Sequence, residues 1–424
     1  MQVHDNQDRV PQATPLTAAP RRGRTSSDEQ RIQFDVATAH LEPPFAVLDA
    51  DAIEANAAAL VTRATGKPIR IASKSVRSRE VLRQVLARPG WRGIMAYTLP
   101  EAIWLCESDV SDDLLIGYPT ANRLALAQVA GSEKLASCIT LMIDSVEHLD
   151  FIDSMAAPKQ RAPIRICLDL DASWRPFGRA HVGVRRSPLH SPADVGKLAR
   201  TVVARDGFEL VGLMSYEAQI AGLGDMPPGR PVYGAVLRAV QRWSLTDLLA
   251  RRGAATAAAR EHADLEFVNG GGTGSVAATT ADPSVTELTA GSGLYGPTLF
   301  DAYHAWRPEP AAFFATSVVR RPGPEMATVH GGGWIASGPA ETSRLPSPVL
   351  PAGLSLLRAE GAGEVQTPVV GPAADTLRVG DRVWFRHAKA GELCEHVDAL
   401  HVVRGNQVER VIPTYRGDHG PAFL

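Results

Sequence analysis

The chain has 424 residues, 45% of them apolar, with 44 basic and 46 acidic side chains for a formal net charge of −2. That length exceeds one ordinary core and implies two domains, or one barrel of about 250 residues plus a second module. The near balance of charge argues against nucleic acid as the main partner, and no apolar stretch reaches the roughly 20 residues that cross a bilayer. No basic start followed by an apolar segment signals secretion, so the expected location is cytoplasmic. The scattered Cys106, Cys138, Cys167 and Cys394 fit reduced thiols rather than a disulfide framework.

Residues 1–30 are polar and are expected to form a disordered tail. A regular alternation follows. Short apolar runs stand at 44–49, 69–73, 93–98, 113–119, 139–145, 164–171, 210–217, 265–272 and 285–296. Between most of them lie helical patterns, among them "DADAIEANAAALVTRAT", "SREVLRQVLARP" and "SPADVGKLARTVVAR". Strand alternating with helix implies parallel pairing. With the run at 44–49 set aside as a lead-in, eight strands remain, which is the number and length of a (β/α)₈ barrel over 31–305. From 306 to 424 the runs "FFATSVVRR", "MATVHGGG", "DRVWFRH", "LHVVRG" and "QVERVIPTY" alternate with Gly, Pro and Asp turns, which predicts an antiparallel β-domain.

Of the six lysines, only Lys74 closes a predicted barrel strand. Catalytic groups of such barrels stand at the carboxyl ends of strands, and partial desolvation there favours an amine nucleophile for Schiff-base chemistry. A solvated strand-end lysine is the plainer reading of Lys74 taken alone. Two glycine-rich loops change the weighing. "NGGGTGS", with Gly271, Gly272, Thr273 and Gly274, follows the seventh barrel strand, and "AGSGLYG", with Ser292 and Gly293, follows the eighth. Backbone N–H groups in such loops can close on phosphate oxygens. A phosphate cradle facing a lysine suggests pyridoxal 5'-phosphate.

These residues carry a resemblance. The chain resembles the fold-type III pyridoxal-phosphate enzymes, the alanine-racemase-like barrels, and within them the D-threonine aldolase and D-serine dehydratase branch, over roughly residues 40–420. "RIASKSVR" is similar to that branch's lysine segment and places Arg70, Lys74 and Arg77 at the cofactor. "GLYG" resembles the racemase phosphate-loop ending, with Tyr295 on the phosphate side. "SYEAQIAG" resembles the aldolase "GYEGH" stretch, with Tyr216 retained and Gln219 in place of histidine. In "RAHVGVRRSP", His181 occupies the place of the arginine expected at the pyridine nitrogen, with Arg179 and Arg185 as neighbours that could reach instead. His330 is a candidate active-site group from the β-domain, with Glu364 and Gln366 nearby; a solvated loop is the plainer reading.

The segment "GELCEH" resembles the branch's metal segment, with Cys394 at the family cysteine and Glu392 where histidine is expected. On a strand, Glu392, Cys394 and His396 would share one face and converge on Zn²⁺ or Mn²⁺. A charged edge strand with a buried thiol is the alternative. The resemblance implies a homodimer in which one subunit's β-domain caps its partner's barrel. It also implies a metal-assisted lyase acting on a D-β-hydroxy-α-amino acid, with aldol cleavage ahead of dehydration. D-Serine or hydroxyaspartate dehydratase is the runner-up; an amino-acid racemase, a non-catalytic pyridoxal-phosphate carrier and a cofactor-free barrel stand behind it. Tyr303 and Tyr415 lie outside any racemase-like context, which argues against simple racemisation.

Overall fold

The computed structural model describes residues 26–178 and 180–420. A strand β1 (Phe45–Asp49) precedes eight parallel strands that close a barrel: β2 (Ile69–Ala72), β3 (Trp91–Ala96), β4 (Leu114–Ile116), β5 (Ile139–Ile143), β6 (Ile164–Asp169), β7 (Phe208–Ser215), β8 (Phe267–Gly270) and β9 (Glu287–Ala290). Each overlaps one of the eight predicted runs. They were legible because barrel strands are covered on both faces and so read as unbroken apolar stretches; all five residues of β5 are buried. Closure comes from β2 pairing with β9, Ile69 opposite Leu288 and Ile71 opposite Ala290.

The rest of the chain forms a second sheet. Its strands are β10 (Ala312–Gly323), β11 (Met326–His330), β12 (Ser347–Leu350), β13 (Ser355–Leu356), β14 (Gln366–Val370), β15 (Arg382–Arg386), β16 (Ala399–Arg404) and β17 (Gln407–Pro413). It is mostly antiparallel, but β1 joins it between β10 and β16, antiparallel to the first and parallel to the second. The run expected as a lead-in to the barrel is therefore an inner strand of the other sheet. The second domain is thus discontinuous, and its boundary differs from the 306–424 expected.

The amino-terminal boundary shifts as well. Residues 1–25 of the expected tail lie outside the described residues, whereas Ser27–Ala37 is a helix. Its start is a capping box, in which Ser26 and Glu29 each accept the other's backbone N–H. Phe34 and Ala37 face inward and pack with Phe45, Phe313 and Trp384 in a core separate from that of the barrel. The Trp384 indole donates to Asp35 at 2.9 Å. Helix and β1 thus bind to strands some 270–350 residues away in sequence, pairings that no local pattern announces. Among the described residues no helix is long and apolar enough to cross a membrane.

Phe34 is 1% exposed, so Phe34→Ala should cost about 3–5 kcal/mol of stability through its cavity. Urea unfolding followed by tryptophan fluorescence reads this; a loss near zero would show that the helix is not seated on this core.

Candidate active site at the mouth of the barrel

Lys74 sits in a tight turn, Ser73–Ser75, directly after β2. The turn is over-determined. Ser73 donates through its hydroxyl to the Met95 carbonyl at 3.1 Å, and the amides of Val76 and Arg77 both bond the Ser73 carbonyl. Arg77 has φ 48° and donates from Nε to the Lys74 carbonyl at 3.0 Å. The second domain closes over the turn: the Tyr415 amide bonds the Arg77 carbonyl at 2.8 Å, and the Ser78 hydroxyl bonds the Pro413 carbonyl at 2.8 Å. Below it lies Glu101, which accepts from the Tyr97 amide and the Tyr415 hydroxyl, both at 2.8 Å, and whose carboxyl is pushed up to about 7 by burial.

This frame aims the Lys74 ammonium at the Tyr118 hydroxyl, 3.0 Å away, at the end of β4. Burial alone would raise the Tyr118 phenol, but the charge of Lys74, its hydrogen bond, and the charges of Arg186 and Lys389 outweigh it and lower the value. The Arg186 guanidinium lies 5.5 Å from the Tyr118 ring and 5.8 Å from the Tyr216 ring. A cavity of about 310 Å³ opens among Tyr118, Asp144, Asp169, Arg186 and Tyr216. Asp169 is pushed up to about 7 by burial and by the nearby Asp144 charge, against the opposing pull of Arg186.

Across the mouth the two glycine-rich loops interlock. Thr273 accepts at Oγ1 from the Ser292 hydroxyl and from the Gly293 amide, both at 3.1 Å. A Cβ at Gly293 would lie 2.7 Å from the Thr273 methyl, and one at Gly272 would lie 3.0 Å from the Tyr216 ring. A Cβ at Gly291 would stand 2.5 Å from the Ala72 carbonyl, so the second loop adjoins the strand that delivers Lys74. Glycine at these positions lets the two loops press on each other, on the Tyr216 ring and on the end of β2, where any side chain would collide. The residues present therefore fit pyridoxal 5'-phosphate: an amine, a cradle beside it and an aromatic wall.

Beneath the first loop is a wholly buried ion cluster that sequence reasoning missed. Glu217 accepts from the Gly271 amide at 3.1 Å, from Ser275 at 3.2 Å, from Thr279, and from Arg252 at 3.0 Å. Arg252 also binds Asp282 at 2.9 Å and the Ser215 hydroxyl at 2.7 Å. The only sequence signal was an arginine in the Ala-rich run 250–260, whose partners lie 30 to 37 residues away.

Several expected site residues are placed elsewhere. Arg70 points into the barrel, bonded to Glu287 at 2.7 and 3.1 Å and to Asp113 at 2.7 and 3.2 Å, because inward positions four residues before Lys74 lie deep below the mouth. Arg77 pairs with Glu395 and braces the turn rather than facing the cavity. Tyr295 is fully buried and donates to the Val76 carbonyl at 2.8 Å, behind the lysine turn rather than at the cradle. Gln219 spends its amide on Ala172 at 2.7 Å and Ser244 at 2.8 Å. His181 bonds the Val184 carbonyl at 3.0 Å, and the arginine that reaches the cavity is Arg186; Arg179 lies outside the described residues. His330 is exposed at the end of β11, opposite an equally exposed Gln366, and Glu364 is exposed beside them. Lys74, Tyr216, Gly272, Thr273, Ser292 and Gly293 do converge, and Gly271 and Gly274 complete their loop.

The expected metal face does not form. Residues Leu393–His396 are helical, not extended, so Glu392 and Cys394 point to opposite sides. Cys394 is buried, donates to the Val76 carbonyl at 3.4 Å, and its thiol is pushed up to about 12 by burial, whereas a metal needs the thiolate. Glu392 accepts the Ser337 amide at 2.9 Å, and the His396 ring lies flat on Trp334 at 4.8 Å. Among the described residues no group of three His, Cys, Asp or Glu side chains is placed to hold a metal ion.

A closed parallel barrel with a lysine at the end of its first strand and a glycine cradle over its last two defines a phosphate-cofactor barrel of the Schiff-base type. The chain belongs to the alanine racemase, N-terminal domain family, whose model matches residues 48–298. It is 22% identical over 304 residues to 3-hydroxy-D-aspartate aldolase from Paracoccus denitrificans (strain Pd 1222), covering 69% of this chain and 72% of that protein. It shares its fold with the crystal structure of D-threonine aldolase from Filomicrobium marinum, at a TM-score of 0.74 and 20% identity over 89% of this chain and 96% of that one. D-threo-3-hydroxyaspartate dehydratase from Delftia sp. HT23 superposes at 0.69, also at 20% identity, over 89% and 98%.

Two outcomes test this geometry. Glu217→Gln leaves Arg252 half-compensated in a dry interior and should cost about 3–5 kcal/mol, while weakening retention of pyridoxal phosphate on dialysis; unchanged retention would detach the cluster from the cradle. Asp169 titrates near 7 when folded and near 3.9 when unfolded, so the native state holds the extra proton and stability falls as pH rises between those values, by at most on the order of 4 kcal/mol. Asp169→Asn should reduce that slope in denaturant titrations at pH 4 to 7, leaving the parts contributed by Glu101 and by Asp49, which burial pushes up to about 7 and about 6.

Proposed function

We propose that this protein is a pyridoxal-phosphate-dependent lyase acting on a D-β-hydroxy-α-amino acid, with retro-aldol cleavage of the Cα–Cβ bond as the leading reaction. The observation that carries the reading is the Lys74 amine, held at 3.0 Å from Tyr118 beside a glycine cradle in a barrel of this family. The names of the relatives, an aldolase and a dehydratase of D-β-hydroxy amino acids, support the substrate class. Elimination to ammonia and a keto acid is the second reading, favoured by the likeness to the hydroxyaspartate dehydratase.

The cofactor, when bound, would supply the electron sink for the pair released at the substrate Cα. The protein's own groups do the rest. The loops at 271–274 and 292–293 would hold the phosphate beside Lys74, with the amides of Gly271, Gly272 and Gly293 spent on Glu217, Ser275 and Thr273 and so bracing the loops. Lys74 and Tyr118 share a hydrogen bond and can hold or pass a proton at the mouth, and the lowered value makes the Tyr118 phenol readier than an ordinary tyrosine to give one up. Arg186, between the two tyrosine rings, offers a fork for a substrate carboxylate. A cavity of about 310 Å³ suits a small amino acid.

Racemisation is disfavoured because the late tyrosines are committed elsewhere: Tyr303 bonds the Ala221 carbonyl at 3.0 Å and Tyr415 bonds Glu101. The second sheet speaks against a bare cofactor carrier. We further infer a cytoplasmic homodimer in which exposed His330 and its loop meet a second subunit.

Purified protein should be yellow, and Lys74→Ala should lose both the visible band and turnover. Incubation with D-threonine, D-serine and D-phenylserine should release glycine plus an aldehyde. Ammonia plus a keto acid instead would establish the dehydratase reading, and a colourless wild type would overturn both.

A further inference from the structure

Around the Leu393–His396 helix, Glu392 accepts the Ser337 amide at Oε1 while its Oε2 is buried without a hydrogen-bond partner, Cys394 is engaged by the Val76 carbonyl and His396 by the Trp334 ring, and the three face apart. A few residues upstream the same segment carries a cation, Lys389. Its backbone is pinned between the two halves of the site: the Thr298 amide bonds the His387 carbonyl and the Leu299 amide bonds the Ala388 carbonyl, both at 3.1 Å, just beyond the cradle. At the other end, Gly391 lies so close to the Lys74 carbonyl that a Cβ there would collide with it. Lys389 therefore stands between cradle and lysine turn. Its ammonium is half-buried, donates to the Ser337 hydroxyl at 3.1 Å and carbonyl at 3.4 Å, and acts electrostatically on both Lys74 and Tyr118. Ser337 in turn donates its amide to Glu392 at 2.9 Å. Ser337 thus joins the Glu392 carboxylate and the Lys389 ammonium.

We propose that Lys389, rather than a divalent metal ion, supplies the positive charge at the substrate's β-oxygen, and that turnover is metal-independent. The proposal rests on the lyase reading above. In cleavage the β-hydroxyl proton passes to the Lys74–Tyr118 pair in the form that has already lost one proton, as neutral amine or phenolate; the Cα–Cβ electron pair stays with Cα, and the β-carbon leaves as an aldehyde. Negative charge grows on the β-oxygen as its proton departs. An ammonium already anchored by Ser337 meets that charge without reorganising, and one such donor is worth on the order of 10²–10³ in kcat.

The test uses the pyridoxal-phosphate-loaded protein with D-threonine and D-phenylserine. Prolonged EDTA treatment should leave turnover unchanged, added Mn²⁺ or Zn²⁺ should not raise it, and metal analysis should find far less than one ion per chain. Lys389→Met should lose on the order of 10²–10³ in kcat while keeping the visible absorption band and far-UV circular dichroism, and Lys389→Arg should recover part of the loss. Turnover that EDTA abolishes and Mn²⁺ restores would overturn the metal-independent claim while leaving the lyase reading intact. So would an undiminished kcat in a folded, coloured Lys389→Met. No product from the wild type would bring down the lyase reading and this proposal with it.

Discussion

Closure of the barrel through the β2–β9 pairing governs everything at the mouth. Eight parallel strands that return to their start bring all carboxyl ends to one rim. The first strand then ends beside the last, so the Ala72 carbonyl touches Gly291 and the lysine that follows stands next to the loop that would hold phosphate. Residues 74 and 292 are far apart in the chain and adjacent in space for this reason alone. A slip of one residue in that pairing would turn Lys74 away from the mouth.

Two ion clusters, one wholly buried and one with its Asp113 carboxylate partly exposed, stiffen this ring from below. Arg70 with Glu287 and Asp113 joins β2, β9 and the start of β4 inside the barrel; Arg252 with Glu217 and Asp282 carries the cradle loop. Such clusters contribute little net stability against apolar replacements, since desolvation offsets their attraction. Their effect is geometric: each carboxylate has several fixed donors, and rearranging the loop would strand a charge in a dry interior. Arg70 therefore has a structural function close to the site without touching what the site would bind.

The second sheet acts on the site through the lysine turn. Tyr415, Pro413, Gly391 and Cys394 all press on residues 74–78, and Tyr295 bonds the same turn from the barrel side. The turn cannot relax unless the two domains part. This explains why the segment 387–396, expected as a metal-bearing strand, is instead a packing element. Its thiol fills a gap under Val76, and its histidine extends a ring stack that runs through Trp334 to Phe314 and Phe385.

The eight barrel strands, the glycine loops and Lys74 were legible in the linear chain, because doubly covered strands read as apolar runs and close backbone approach demands glycine. The sheet to which Phe45–Asp49 belongs was not, since its partners Ala312–Ala315 and Leu400–Val403 lie hundreds of residues on. Nor was the helical state of 393–396, because four polar and apolar residues in a row suit strand and helix alike. The sequence by itself determined the barrel's strands and their order, as periodicity and turn chemistry act over a few residues. Tertiary structure alone decided which charge meets which: that Glu217 finds Arg252, that Arg186 rather than His181 reaches the cavity, and that Lys389 is anchored on Ser337. Those partners are chosen by barrel closure and domain docking, where desolvation forces each charge toward whatever the fold has brought within reach.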